Sequence, residues 1–142
     1  MDDGFEDSPW DGNWDGNGAT SWTADTIHGG TYSAKSAKAT ADLLTSDDLD
    51  ASTADDITIS FWFYGRALDA GDVTIEIWNG STWDTWFDLT AYSGYANATW
   101  TNFSEVITDS QYFISDWKVR INATTAGNES INIDDVLIQT NQ

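Results

Sequence analysis

The chain is expected to fold as an all-β protein, a two-sheet antiparallel β-sandwich. Three observations predict it. Apolar residues recur at every second position through nearly all hydrophobic segments. Gly and Asx clusters separate those segments at short intervals, and no segment carries a sustained apolar stripe with helical period.

Taken in chain order, residues 5–7, 21–24, 32–39 and 43–46 are short strand candidates, set apart by the turn-rich stretches 11–18 and Gly29-Gly30. The clearest strand is Ile57-Thr58-Ile59-Ser60-Phe61-Trp62-Phe63-Tyr64. It puts Ile57, Ile59, Phe61 and Phe63 on one face and Thr58, Ser60, Trp62 and Tyr64 on the other. After the turn at 69–72, Val73, Ile75 and Ile77 alternate with Thr74, Glu76 and Trp78. Asn79-Gly80 then leads to candidates at 82–89 and 99–107. Trp117, Val119 and Ile121 alternate with Lys118, Arg120 and Asn122, and beyond Gly127-Asn128 a closing strand covers 131–138. Abundant Thr, Ile and Val suit a pleated surface.

A length of 142 residues fits one domain with a core of its own, and the reading is one β-sandwich module over 1–142. Met1 runs straight into Asp2-Asp3-Gly4-Phe5-Glu6, which reads as a module cut from a longer secreted or surface protein. With no cysteine, disulfides and thiolate zinc sites are excluded. No apolar run approaches the roughly 18 residues of a helical membrane span.

The 24 acids, 20 of them Asp, against 5 bases give a formal charge of −19. A field of that sign repels nucleic acid, so no nucleic-acid partner is expected. The acidity reads either as a solvated surface, with some Asp spent in turns and on calcium, or as adaptation to high salt. Five of the nine asparagines, Asn79, Asn97, Asn102, Asn122 and Asn128, stand in N-x-S/T sequons, which fits a glycosylated surface protein and fits chance in a Thr-rich chain.

Catalytic patterns are scarce. The single histidine, His28, sits beside Gly29-Gly30 and reads as an exposed turn residue. No G-x-S-x-G elbow, cysteine nucleophile, P-loop or G-x-G-x-x-G is present. A non-enzyme is expected.

Several landmarks occur in a recognisable order: Gly4-Phe5-Glu6, Trp10 and Trp14, Gly30-Thr31-Tyr32-Ser33-Ala34, Leu43-Leu44-Thr45-Ser46, the strand at 59–64, Trp83 to Leu89, Trp100, and Ile131-Asn132-Ile133-Asp134-Asp135-Val136. Over nearly the whole chain this resembles the calcium-stabilised jelly-rolls of the MAM-domain type and the carbohydrate-binding modules attached to glycanases and secreted proteases. The resemblance implies a jelly-roll topology and an extracellular setting. It also implies calcium ligands at Glu6 and Asp134, with a backbone carbonyl near Gly30. Asp135 stays open as an alternative to Asp134, because a bulge would exchange the two. Carboxylates mixed with carbonyls are what a Ca²⁺ ion takes.

A second ion signal needs no resemblance. Asp11-Gly12-Asn13-Trp14-Asp15-Gly16 reads D-x-N-x-D-G, in which Asp11, Asn13 and Asp15 are alternate oxygen donors. The twelfth position is Trp22 rather than Glu, so the loop is no EF-hand, and a plain Asx/Gly turn reads as well.

Nine tryptophans exceed what one sandwich core needs. Trp62, Tyr64 and Trp78 fall opposite the main apolar set, near Arg120, and are the expected ligand-binding residues. Aromatic planes beside hydrogen-bonding groups suit a sugar. The expectation is an accessory module, monomeric in isolation, that binds carbohydrate; the alternative is a structural or adhesive domain with a cell-surface glycan or protein partner and no sugar site.

Overall fold

The computed structural model describes residues 1–6, 13–15, 21–38 and 40–142, with the backbone alone at 15, 21 and 22. Eleven strands occur among them: β1 (Asp2–Asp3), β2 (Trp14–Asp15), β3 (Ser21–Thr23), β4 (Ser33–Ala37), β5 (Asp42–Ser46), β6 (Asp56–Arg66), β7 (Val73–Trp78), β8 (Trp83–Asp88), β9 (Trp100–Ile107), β10 (Val119–Ala123) and β11 (Ser130–Asn141). They form two antiparallel sheets. One has six strands in the order β3-β4-β11-β6-β9, with β1 also paired to β11; the other has five in the order β2-β5-β10-β7-β8. The chain crosses repeatedly from one sheet to the other, as a jelly-roll does.

Period-two alternation builds the core. On β6 the inward set Ile57, Ile59, Phe61 and Phe63 is 0–2% exposed, and on β7 Val73, Ile75 and Ile77 are fully buried. Phe103 stacks on Phe61 at 4.7 Å between ring centroids. Truncating a buried Phe such as Phe61 to Ala would cost about 3–5 kcal/mol. Trp117 is fully buried but makes only an isolated bridge to Leu49, so β10 starts two residues later than the alternation suggested. The opening strand lies at Asp2–Asp3; of the expected strand at 5–7, Phe5 and Glu6 stand outside any strand and residue 7 lies outside the described residues. Phe5 adopts φ 57° and turns its ring into the core instead of continuing the ladder.

The closing strand breaks its own alternation. Ile131 and Ile133 face the core at odd positions, Val136 and Ile138 at even ones, and all four are at most 3% exposed. A β-bulge reconciles them: against β6, Asp134 pairs with Trp62, yet the next regular pair is Leu137 with Ser60. Asp135 sits in the bulge with φ 49°, a left-handed conformation that Asp tolerates better than most residues.

Candidate functional sites

The bulge aims a cluster of carboxylates at one loop. Asp134 is fully buried, and its Oδ2 accepts from the backbone N–H groups of His28 (2.8 Å) and Gly29 (3.1 Å), while Oδ1 accepts from Asp135 N (2.8 Å). From the other end of the chain, Glu6 accepts from Thr31 N at 2.8 Å and Tyr32 N at 2.9 Å. Asp135 Oδ2 meets His28 Nδ1 at 2.7 Å. The loop approaches so closely that a Cβ on Gly29 would lie 3.0 Å from both Asp135 carboxylate oxygens. Gly30 has φ 61° and abuts the Glu6 carboxyl.

Electrostatically the two main acids differ. The N–H groups of Tyr32 and Thr31 hold the Glu6 carboxyl below the usual range. Burial pushes the Asp134 carboxyl up, against the lowering by its three N–H donors. Among the described residues no Lys or Arg forms an ion pair with Asp134. Glu6, Asp134 and Asp135 are oxygen donors of the type calcium takes, but among the described residues the trio whose carboxylate oxygens converge within 4.8 Å lies elsewhere, at Asp69, Asp72 and Glu129.

Of the second ion signal, Asp11 lies outside the described residues. Asn13 donates its side-chain amide to Asp3 Oδ2 at 3.3 Å, and the backbone of Asp15 pairs with Thr45. Sequence reasoning missed Asp3. Its Oδ2 also accepts from the Trp14 indole at 2.7 Å, and its Oδ1 from Phe5 N at 2.7 Å. Missed too was a trio, Asp69, Asp72 and Glu129, whose carboxylate oxygens lie within 4.8 Å of one another.

The expected aromatic platform is divided between opposite faces of the sandwich. Trp62 and Tyr64 belong to the six-stranded sheet, Trp78 and Arg120 to the five-stranded one. Parity along a strand tells inside from outside, and a sandwich has two outsides.

On the six-stranded face the rings are occupied by neighbours. The His28 ring stacks on Trp62 with centroids 4.0 Å apart and planes 14° apart, and it meets Trp100 edge-on. Tyr64 packs edge-on to Trp100 at 5.4 Å, with the Arg66 guanidinium 4.8 Å from its ring centre. Arg66 in turn donates to Thr26 Oγ1, tying the 24–32 loop over this sheet. His28 is exposed as expected, but it serves as a lid on Trp62.

On the five-stranded face Trp78 pairs with Trp83 across β7 and β8, both partly exposed, with centroids 5.5 Å apart and planes tilted by 52°. Two residues along β7, on the same face, Glu76 pairs with Arg120 of β10. The guanidinium donates to both Glu76 oxygens at 3.1 and 3.2 Å and lies 4.2 Å from the Trp83 ring centre. Thr45 and Thr85 stand beside this pair on the neighbouring strands. The result is a partly exposed indole pair with a fixed polar border. Trp83 was not assigned a face from sequence; its hairpin register with Trp78 supplies one.

No protein-family model and no curated protein matches the chain. Solved structures match it in fold. The xylan-binding domain CBM22-1 of Paenibacillus barcinonensis Xyn10C superposes with a TM-score of 0.63 at 16% identity, over 99% of this chain and 92% of that one. A family 35 carbohydrate-binding module from an environmental isolate gives 0.64 at 17% identity, over 94% and 90%. The K2 cleaved adhesin domain of Lys-gingipain gives 0.62 at 13% identity, over 99% and 97%. At such identities the likeness is one of fold: the chain shares the β-sandwich of carbohydrate-binding modules and of an adhesin domain, and any ligand has to be argued from its own surface.

Proposed function

We propose that the chain is a non-catalytic carbohydrate-binding module of an extracellular protein, and that it takes its ligand on the outer face of the five-stranded sheet. The observation that carries this reading is the Trp78–Trp83 pair beside Arg120 and Glu76. Two indoles offer apolar planes for the C–H faces of sugar rings. Their 52° tilt suits successive, mutually rotated rings of one chain better than a flat crystalline surface. Arg120 retains N–H groups beyond the two spent on Glu76, and with the exposed Thr85 it supplies partners for hydroxyls. The Trp62–Tyr64 face is the weaker candidate, because His28 covers Trp62 and Arg66 covers Tyr64, whereas on the five-stranded face Arg120 covers Trp83 but Trp78 meets only the tilted Trp83 ring.

Calcium belongs to the same proposal as a structural ion held by Glu6, Asp134 and Asp135 with a backbone carbonyl near Gly30. When bound it would supply positive charge to the buried Asp134. The chain's own residues already close the loop by N–H donation, so the ion adds stability rather than building the fold.

Titration of soluble polysaccharides against tryptophan fluorescence and calorimetry tests the reading. Binding that is lost in Trp83→Ala and kept in Trp62→Ala is the expected result; a flat response across glucans, xylan, mannans and galactans removes it. The likeness to an adhesin domain favours a second reading, a protein-adhesive module, which that flat response would promote.

A further inference from the structure

The charges around Trp78 and Trp83 carry the proposed sugar face one step further. All five basic residues of the chain are Lys35, Lys38, Arg66, Lys118 and Arg120. Arg66 lies on β6 and Lys35 on β4, both in the six-stranded sheet, and Lys38 follows the end of β4. In the five-stranded sheet stand Arg120, on β10, and Lys118, just before it, and each is matched by a carboxylate. Arg120 is held by both oxygens of Glu76, and Lys118 Nζ lies 2.9 Å from Asp48 Oδ1. The Trp78 indole N–H points to a third acid, Asp116, at 3.3 Å. Three carboxylates thus border the indoles against two cations, within a chain of net charge −19.

We infer that this face selects uncharged glycan chains and rejects polyanionic ones such as polyuronates or sulfated glycans. The inference rests on the carbohydrate-binding reading and names the ligand class of the same site. A sugar carboxylate can recruit Arg120 only by drawing it from Glu76, which is 8% exposed and would be left as a buried unpaired charge. Recruiting Lys118 exposes Asp48 to the same anion. A neutral hydroxyl asks for neither exchange, because it can share the unspent guanidinium N–H groups while the ion pair stays intact. The field of the whole molecule acts in the same sense on the approach of a polyanion, over the roughly 10 Å that salt leaves unscreened.

The experiment compares polysaccharides matched in backbone and differing in charge: hydroxyethylcellulose with carboxymethylcellulose, arabinoxylan with glucuronoxylan, and galactan with polygalacturonate, each at low and at high sodium chloride. The neutral member of the recognised pair is expected to bind at least about tenfold more tightly than its anionic counterpart at low salt, as like-charge contacts dictate, with the gap narrowing at high salt. Glu76→Gln and the exposed-site change Asp48→Asn should each narrow the gap by freeing a cation. Equal or tighter binding of the anionic member at low salt overturns the inference while the carbohydrate reading stands. A gap unchanged in both variants overturns the assignment of selectivity to this face. Silence across all three pairs removes the carbohydrate reading and this inference with it.

Discussion

A Cβ placed on Gly30 would lie 2.6 Å from Oε2 of Glu6, so the absence of a side chain at one position is what lets the carboxylate at the other reach the N–H groups of Thr31 and Tyr32. Gly30 also has φ 61°, where an L side chain is strained. Gly30→Ala should therefore lower stability by about 1–3 kcal/mol in chemical denaturation. In a Glu6→Ala background the clash is gone and only the backbone strain remains, so the same change should cost less. Equal costs in the two backgrounds would show that the carboxylate is not what the glycine accommodates.

Calcium should raise the melting temperature and EDTA should lower it, because an ion that binds only the folded state stabilises by about 2.7 kcal/mol at roughly a hundredfold excess over Kd. Glu6→Gln and Asp134→Asn should each shrink the calcium-induced shift. Scanning calorimetry with and without chelator decides the matter; identical melts would remove the ion from the account.

The acid limb of stability should carry the signature of Glu6. Its carboxyl is held below the ordinary value of 4.5 in the folded state by Tyr32 and Thr31 N–H. A depressed carboxylate contributes stability that is present above pH 4.5 and lost as pH falls through the folded value. Asp134 runs the other way: burial raises its carboxyl above 3.8, so its ionised form is penalised at neutral pH and that penalty fades on acidification. In EDTA, wild type and Glu6→Gln should therefore differ at neutral pH and converge in acid. A constant offset across the range would exclude the Glu6 charge as the cause.

Truncating the indole pair should separate binding from folding. Trp83→Ala is expected to weaken glycan binding by about 2 kcal/mol or more, the size typical of an aromatic hot spot, with little change in melting temperature because the ring is partly exposed. Trp62→Ala should do the reverse, since that ring stacks with His28 and supports the 24–32 loop. Paired calorimetry of binding and of unfolding on both variants reads the contrast directly.

Much of this architecture is legible in the residues. The alternation at 57–64 announces β6 and its buried face without ambiguity, and the closing Asp134-Asp135 is recognisable as a site because two adjacent acids interrupt an apolar strand. Other features needed the third dimension. Asp3 holds the Trp14 indole from 11 residues away, a contact that no local pattern encodes. Trp62 and Trp78 share a parity and even a composition of neighbours, yet point away from the sandwich in opposite directions, since alternation does not say which sheet a strand joins. Trp83 becomes part of a site only through the hairpin register that sets it opposite Trp78, ahead of the bulge between Glu76 and Ile75.

The surplus residue in β11 works as a phase shifter for the end of the chain. Upstream of Asp135 odd-numbered side chains point inward, and downstream the even-numbered ones do. Removing that one residue would put upstream and downstream back in step with Val136 and Ile138 still facing inward, but it would erase the kink in which Asp135 meets His28. The extra link therefore serves the loop and not the core: the ladder could close without it, and the carboxylates beside His28 could not keep their places.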